Sequence, residues 1–272
     1  MPEDREYRDV YIRVLAVRQL EDYDAHQPGT LFADGVTLGV CDAYRLQAAT
    51  AELRVARGDR IIGYKVGCTS TTIRQQLGID HSITGRLYDS ESHSSSTKLS
   101  RHQFDHLAIE GELAVELSRP PVPEDFQNDR LNSVKLPECV SRIFPVIELH
   151  NYVVRGKVPT AGELIANNAI HAGFIRGDGI LQEQFVVQEG SCSLQILVDD
   201  EIIADCKGAQ LIQAIRSSLE WLLIHTKQNG EQLKAGQIVL TGSIPQLIPV
   251  QKNCRIKVET QPFGSVEVGF ID

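Results

Sequence analysis

No run of about 18 uninterrupted apolar residues occurs in this 272-residue chain, so the sequence offers no membrane-spanning helix. The first residues, Met1-Pro2-Glu3-Asp4-Arg5-Glu6, are charged and lack the apolar core of a secretory signal. Six cysteines are scattered without a Cys-x-x-Cys pair, which argues against a zinc site or a disulfide framework and for a reducing, cytoplasmic home. Basic residues are in deficit, 27 Lys and Arg against 36 Asp and Glu, and the net charge of −9 disfavours nucleic acid or an anionic membrane as partner. The Gly-x-Ser-x-Gly elbow, the phosphate-binding Walker loop and the dinucleotide fingerprint are all missing.

What is present reads as one soluble globular chain with a change of character partway along. Apolar residues recur at helical spacing over 6–24 and again over 41–57, where Gly58-Asp59 closes the second helix. Residues 61–67 read as a strand and 69–77 as a short helix ended by Gly78. The polar stretch 90–98, rich in serine, reads as a flexible connection. Beyond it, 106–117, 143–149, 193–199 and 237–241 are apolar β-like runs, and Gly177-Asp178-Gly179 is a hairpin signal. A helix opening at Thr160, whose Thr-Ala-Gly-Glu has capping-box spacing, and another over 209–225 interrupt them. The expected organisation is a helical N-terminal part over 1–95, carrying the Lys65 strand, and a β-rich domain over 96–272.

Two glutamates one residue apart, Glu110 and Glu112, lie inside the apolar run 108–117. In a strand, residues two apart leave the same face, so both carboxylates project together. Like charges so placed repel and are costly to desolvate, and a divalent cation that prefers oxygen ligands compensates them. Glu148, in Phe144-Pro145-Val146-Ile147-Glu148, is a third carboxylate in apolar strand-like sequence. The competing reading is the wet face of an amphipathic strand, and alternation alone fits it as well.

Other polar residues carry two readings each. Lys65, between Gly63 and Gly67, is either a snorkelling edge residue or a cation for a substrate carboxylate or enolate oxygen. Asp80 follows a helix end and reads alone as a turn aspartate. Thr241-Gly242-Ser243 ends an apolar strand, a place for ligands or a plain turn. His150 and His171 are isolated and read as structural.

Taken in order, these pieces resemble the 2-hydroxypentadienoate (2-keto-4-pentenoate) hydratase and 4-oxalocrotonate decarboxylase group of the fumarylacetoacetate hydrolase superfamily. The resemblance spans about residues 35 to 270 and rests on Gly63-Tyr64-Lys65-Val66-Gly67, Gln75–Asp80, Ile109–Glu112, Pro145–Glu148, 233–243 and 263–270. It implies an α+β fold, a mixed β-sandwich roll with a small helical N-terminal part, and a homo-oligomer. It further implies Mg²⁺ or Mn²⁺ held by Glu110, Glu112 and Glu148. Lys65 and Asp80 would then move protons and contact the enolate, Thr241 and Gly242 would meet the substrate carboxylate, and Asn167 and Ile170 would shape the distal pocket. The implied reaction is hydration of a 2-hydroxy-2,4-dienoic acid to a 4-hydroxy-2-oxo acid in aromatic-compound catabolism.

The chain departs from the family pattern in places. Ala166-Asn167-Asn168-Ala169-Ile170 stands where the family reads Ala-Asp-Asn-Ala-Ser, and His150-Asn151-Tyr152 replaces a small residue and an arginine. Ala108-Ile109 stands where an arginine often precedes the first metal glutamate. Decarboxylation of a 4-oxalocrotonate-type acid and acylpyruvate hydrolysis are the enzymatic alternatives, although no His-Glu pair for the hydrolase precedes Lys65. A catalytically silent oxo-acid-binding protein is the non-enzymatic one.

Overall fold

A computed structural model describes residues 2–127, 135–152, 159–185 and 192–272. Its helices are α1 (Pro2–Asp24), α2 (Thr30–Ala33), α3 (Val40–Ala56), α4 (Thr71–Leu77), α5 (Ala161–Ala166) and α6 (Gln210–Gln228). The strands are β1 (Ile61–Gly67), β2 (Ile83–Tyr88), β3 (Ser92–Ser94), β4 (Thr97–Ser100), β5 (Leu107–Leu117), β6 (Val140–Asn151) and β7 (His171–Arg176). They continue as β8 (Ile180–Leu181), β9 (Ser193–Val198), β10 (Glu201–Lys207), β11 (Ile238–Leu240), β12 (Ile248–Pro249), β13 (Cys254–Gln261) and β14 (Gly264–Ile271). Among the described residues no helix is long and apolar enough to cross a membrane.

A nine-stranded sheet runs β2-β1-β11-β5-β6-β7-β3, with β12 beside β5 and β8 beside β6. A five-stranded sheet runs β10-β9-β13-β14-β4. Alternation in the two long central strands decides how they meet. Ile109, Leu113, Val115, Ile147 and Leu149 share one buried cluster with Leu194, Ile196, Ile256, Val258 and Val268 of the second sheet, and with Leu211, Ile215 and Leu219 of α6. Gly111 faces the same way: a Cβ there would lie 2.8 Å from the side chains of Ile196 and Val258. The residues between them, Glu110 and Glu112, therefore leave the opposite face. On that face Leu87, Ala114, Phe144, Val146, Phe174, Ile238 and Leu240 form an apolar floor.

The helical N-terminal part packs through Ile12, Leu15 and Ala16 of α1, Ala43 and Leu46 of α3, and Ile165 and Ala166 of α5. The helix predicted over 6–24 is present, but Tyr7, Val10, Tyr11, Val14 and Val17 are exposed. Its apolar residues surround the helix, and contact with α3 rather than periodicity selects the inward face. Thr160 caps α5 as predicted, its hydroxyl accepting from the Glu163 N–H at 3.1 Å.

Two local expectations are corrected. The serine-rich stretch 90–98 is no loose connection: β3 pairs parallel with β7, and β4 pairs parallel with β14, so it passes from one sheet to the other. Polar side chains report solvent exposure, while the backbone is held by the sheet edges. Gly177-Asp178-Gly179 closes no hairpin, because β8 returns beside β6 instead of pairing with β7. The strand bearing Lys65 lies inside the large sheet, between β2 and β11, so residues on both sides of position 95 share that sheet.

Gly63 sets how closely β1 approaches β11. It pairs with Ile238, and a Cβ would fall 1.9 Å from the Ile238 carbonyl oxygen, which cannot yield without parting the strands. Gly63→Ala is expected to lower the unfolding free energy by about 1–3 kcal/mol. A urea midpoint equal to that of the unmodified protein would refute the close approach.

Candidate metal centre

Register brings the acidic residues together. In the antiparallel β5–β6 pair Glu110 lies directly opposite Glu148, and Ala108 opposite His150. Glu112 and His150 follow on the same face by alternation. Lys65 joins from β1, paired with Leu240, which pairs in turn with Ala114. At the start of β7, His171 stands opposite His150.

The side chains converge. Lys65 Nζ is 3.2 Å from Glu148 Oε1, and His171 Nδ1 is 2.7 Å from the same oxygen. His150 Nε2 lies 3.3 Å from Glu110 Oε2 and 3.7 Å from Glu148 Oε2. Lys65, Glu112, Glu148, His150 and His171 are all buried, while Glu110 is partly open to solvent. Lys65 also donates to the Ala169 carbonyl at 3.4 Å. That carbonyl sits in a turn where Asn168, Ala169 and Ile170 all have φ between 53° and 57°. A left-handed conformation is rare for a β-branched residue such as Ile170, and such strain concentrates at functional sites.

Three carboxylates face one ammonium, so the acidic side chains of the cluster outnumber its lysine. The imbalance is visible group by group. Burial, reinforced by the charges of Glu148 and Glu110, pushes the Glu112 carboxyl well above the usual carboxylate range. Burial also opposes the Glu148 carboxylate, yet Lys65, His150 and His171 override it and hold that group well below its ordinary value. For Lys65, burial works against the charge, and Glu148, Glu110 and Glu112 outweigh it and raise its pKa.

A divalent ion fits this donor set. Glu110, Glu148 and His150 each offer a ligand atom, all within 4.8 Å of one another. Two atoms each about 2.1 Å from one ion stand roughly 3.0–3.5 Å apart, near the separations found here. Glu112 Oε1, Glu148 Oε2 and both ring nitrogens of His150 are buried without a hydrogen-bond partner, which is costly unless a cation engages them.

The remaining predicted residues take varied positions. The Gly242 N–H donates to Glu112 Oε2, and Ser243 Oγ donates to the Gly111 carbonyl at 3.1 Å. Thr241 is buried, and its hydroxyl donates to the Leu113 carbonyl at 2.7 Å. The segment 241–243 thus clamps β5 at three successive residues. Asn167 accepts from Gln19 Nε2 at 2.8 Å and donates to the Glu163 carbonyl at 3.0 Å, tying α1 to α5. With Ile170 and His171 it lines a small pocket under the helical layer. Asp80 is 96 % exposed, 3.8 Å from His81, and stands outside the buried cluster. The two histidines read from sequence as structural are both in the cluster. His150 carried a signal, since it lies two residues beyond Glu148 and shares its strand face; His171 carried none, because β7 pairs with β6 across a long connection.

This fold is that of the fumarylacetoacetate hydrolase superfamily. A scan against protein-family models gives no match. The chain is 25% identical over 230 residues to a 2-keto-4-pentenoate hydratase of Paraburkholderia phymatum, covering 84% of this chain and 85% of that one. The 4-oxalocrotonate decarboxylase of Pseudomonas putida G7, complexed with magnesium and adipate, superposes with a TM-score of 0.82 at 25% identity, covering 96% of this chain and 97% of that one. A fumarylpyruvate hydrolase of Pseudomonas aeruginosa, in complex with Mn²⁺ and pyruvate, shares the fold with a TM-score of 0.58 at 15% identity, covering 76% of this chain and 88% of that one. The chain is thus similar along most of its length to 2-keto-4-pentenoate hydratases and to 4-oxalocrotonate decarboxylase.

Each carboxylate of the cluster should matter to metal binding more than to folding. Glu110→Gln or Glu148→Gln removes an anionic ligand and is expected to weaken divalent-ion binding about tenfold or more while the protein stays soluble and folded. Calorimetric titrations showing unchanged affinity in both variants would rule the site out.

Proposed function

We propose that the protein is a metal-dependent hydro-lyase that converts a 2-hydroxy-2,4-dienoic acid of the 2-keto-4-pentenoate type into a 4-hydroxy-2-oxo acid. The observation that carries this reading is Lys65, a buried ammonium placed 3.2 Å from Glu148 at the edge of the carboxylate cluster. Similarity to hydratases along most of the chain supports the same reading.

Glu110 and Glu148, with Glu112 beside them, would hold a divalent ion, which would supply charge neutralisation to a bound oxo acid. The chain's own groups do the rest. In the conversion the 2-hydroxyl proton leaves, a proton arrives at C5, and water then adds with its hydroxyl at C4 and its proton at C3. Lys65, kept charged by its carboxylate neighbours, is suited to donate a hydrogen bond or a proton to the developing enolate. The Ala169 carbonyl accepts from Nζ and fixes where it points. The apolar floor beneath the cluster keeps the local dielectric low, which strengthens each of these interactions.

Decarboxylation of a dicarboxylic oxo acid is the second reading, favoured by the close superposition on a decarboxylase. The pocket beside His171 weighs against it. Among the described residues the guanidinium that lines it, Arg54, is already engaged, with Nε donating to Asp59 at 2.8 Å and Nη1 to Glu91 at 2.6 Å. A second substrate carboxylate lodged against Ile170 would find no free arginine or lysine among the described residues lining the pocket, and its desolvation would cost several kcal/mol, roughly. The unmodified protein, assayed with Mg²⁺ or Mn²⁺, is therefore expected to turn over 2-hydroxypenta-2,4-dienoate faster than 4-oxalocrotonate, with acetylpyruvate poorest. Faster use of the dicarboxylate would move the assignment to the decarboxylase.

Two sets of variants separate chemistry from specificity. Lys65→Met is expected to lower kcat about a hundredfold or more with a small change in KM, because the charge it meets develops in the transition state. Retained activity with methionine would return Lys65 to a packing role. The double variant Asn167→Asp, Ile170→Ser is expected to change the preference among these substrates while divalent-ion affinity stays the same; a changed affinity would place these residues at the metal.

A further inference from the structure

We infer that His150 is a direct nitrogen ligand alongside Glu110 and Glu148, so that this site selects a first-row transition ion over Mg²⁺. The inference rests on the metal-site reading above and adds to it a ligand and a selectivity that follow from this chain's own residues.

His150 is 1% exposed, and neither of its ring nitrogens has a hydrogen-bond partner. Its Nε2 nevertheless points into the cluster, 3.3 Å from Glu110 Oε2 and 3.7 Å from Glu148 Oε2. The two oxygens of Glu148 are divided in use. Oε1 is met by Lys65 and by His171, while Oε2 has no hydrogen-bond partner and faces His150. His171 so placed orients a ligating carboxylate from behind, as outer partners of metal ligands do. Glu112 Oε2 accepts from the Gly242 N–H, while its Oε1 is buried without a hydrogen-bond partner. The set whose atoms lie within 4.8 Å of one another is two carboxylate oxygens, of Glu110 and Glu148, and one imidazole nitrogen, of His150.

Ligand type decides which ion such a set prefers. Mg²⁺ demands oxygen ligands and gives up water reluctantly. Imidazole suits Fe²⁺, Co²⁺ and Zn²⁺, and Mn²⁺ tolerates it among oxygens. A nitrogen in the inner shell thus raises affinity for the transition ions and adds little for Mg²⁺.

The experiment uses the full chain freed of metal and then loaded with Mn²⁺, Co²⁺ or Mg²⁺ separately. Pulsed electron paramagnetic resonance of the Mn²⁺ form should show a directly bonded ¹⁴N, replaced by the ¹⁵N pattern when histidine is labelled, with no substitution needed. His150→Ala should abolish that coupling and weaken Mn²⁺ and Co²⁺ binding about tenfold or more, with Mg²⁺ affinity changed less than about threefold. His171→Gln should keep the coupling. Absence of bonded nitrogen in the Mn²⁺-loaded protein, or an unchanged Mn²⁺ to Mg²⁺ preference in His150→Ala, overturns the inference and leaves His150 as a neighbour of Glu110 only. If Glu110→Gln and Glu148→Gln meanwhile lose metal, the metal site stands and only the ligand assignment fails. If they too leave binding unchanged, or the unmodified protein takes up no Mn²⁺, both readings fail together.

Discussion

The pairing of Glu110 with Glu148 across β5 and β6 is the constraint on which the rest of the site depends. Directly opposed carboxylates on neighbouring strands repel, and Glu148 is almost wholly removed from water. A one-residue slip would relieve the repulsion, but it would also turn Ile109, Leu113 and Val115 out of the core between the sheets. The hydrophobic register therefore locks the charges together, and the polar groups around them must supply the compensation. Lys65 and the two histidines supply part of it. A divalent cation would supply further positive charge at this site.

Backbone devices hold that arrangement in place from three sides. Gly111 lets the second sheet press directly behind the two glutamates, where any side chain would force the layers apart. The turn 241–243 binds the same stretch of β5 from its edge, and Gly242 adopts a φ of 87° to aim its N–H at Glu112. On the third side the β1–β11 contact at Gly63 sets where Lys65 enters. These contacts fix where the carboxylates and the ammonium stand.

Much of this was legible in the sequence, and what was not has physical reasons. The strand pattern around Glu110, Glu112 and Glu148 could be read because alternation is a local property, and the capping box at Thr160 is likewise local. The inward face of α1 could not, since apolar residues surround that helix and its partners lie in α3 and α5. The serine-rich segment misled because composition describes side chains, whereas its backbone bridges two sheet edges. His171 reached the site only through the pairing of β6 with β7, which no short-range pattern encodes. Asp80 shows the converse: a motif position can be matched in sequence while its side chain stands in solvent.

The left-handed turn at 168–170 ties the helical layer to the chemistry. Three consecutive residues at positive φ cost on the order of 1–3 kcal/mol each, so the surrounding contacts must over-determine them. Asn168 shows how. Its Oδ1 accepts from the Arg86 N–H at 2.7 Å and its Nδ2 donates to the Arg86 carbonyl at 2.9 Å, so one side-chain amide imitates a neighbouring strand at the edge of β2. Gly85 permits the approach, because a Cβ there would sit 2.4 Å from the Asn168 carbonyl oxygen. From this anchored turn Ala169 presents its carbonyl to Lys65, while Ile170 lines the pocket beneath α1 and α3. A substrate end that displaced Ile170 would therefore pull on the same turn that orients the ammonium. Under the proposed function, distal recognition and proton handling would be coupled through about three residues of strained backbone, which would give the helical layer a part in the chemistry although it contributes no group to the cluster.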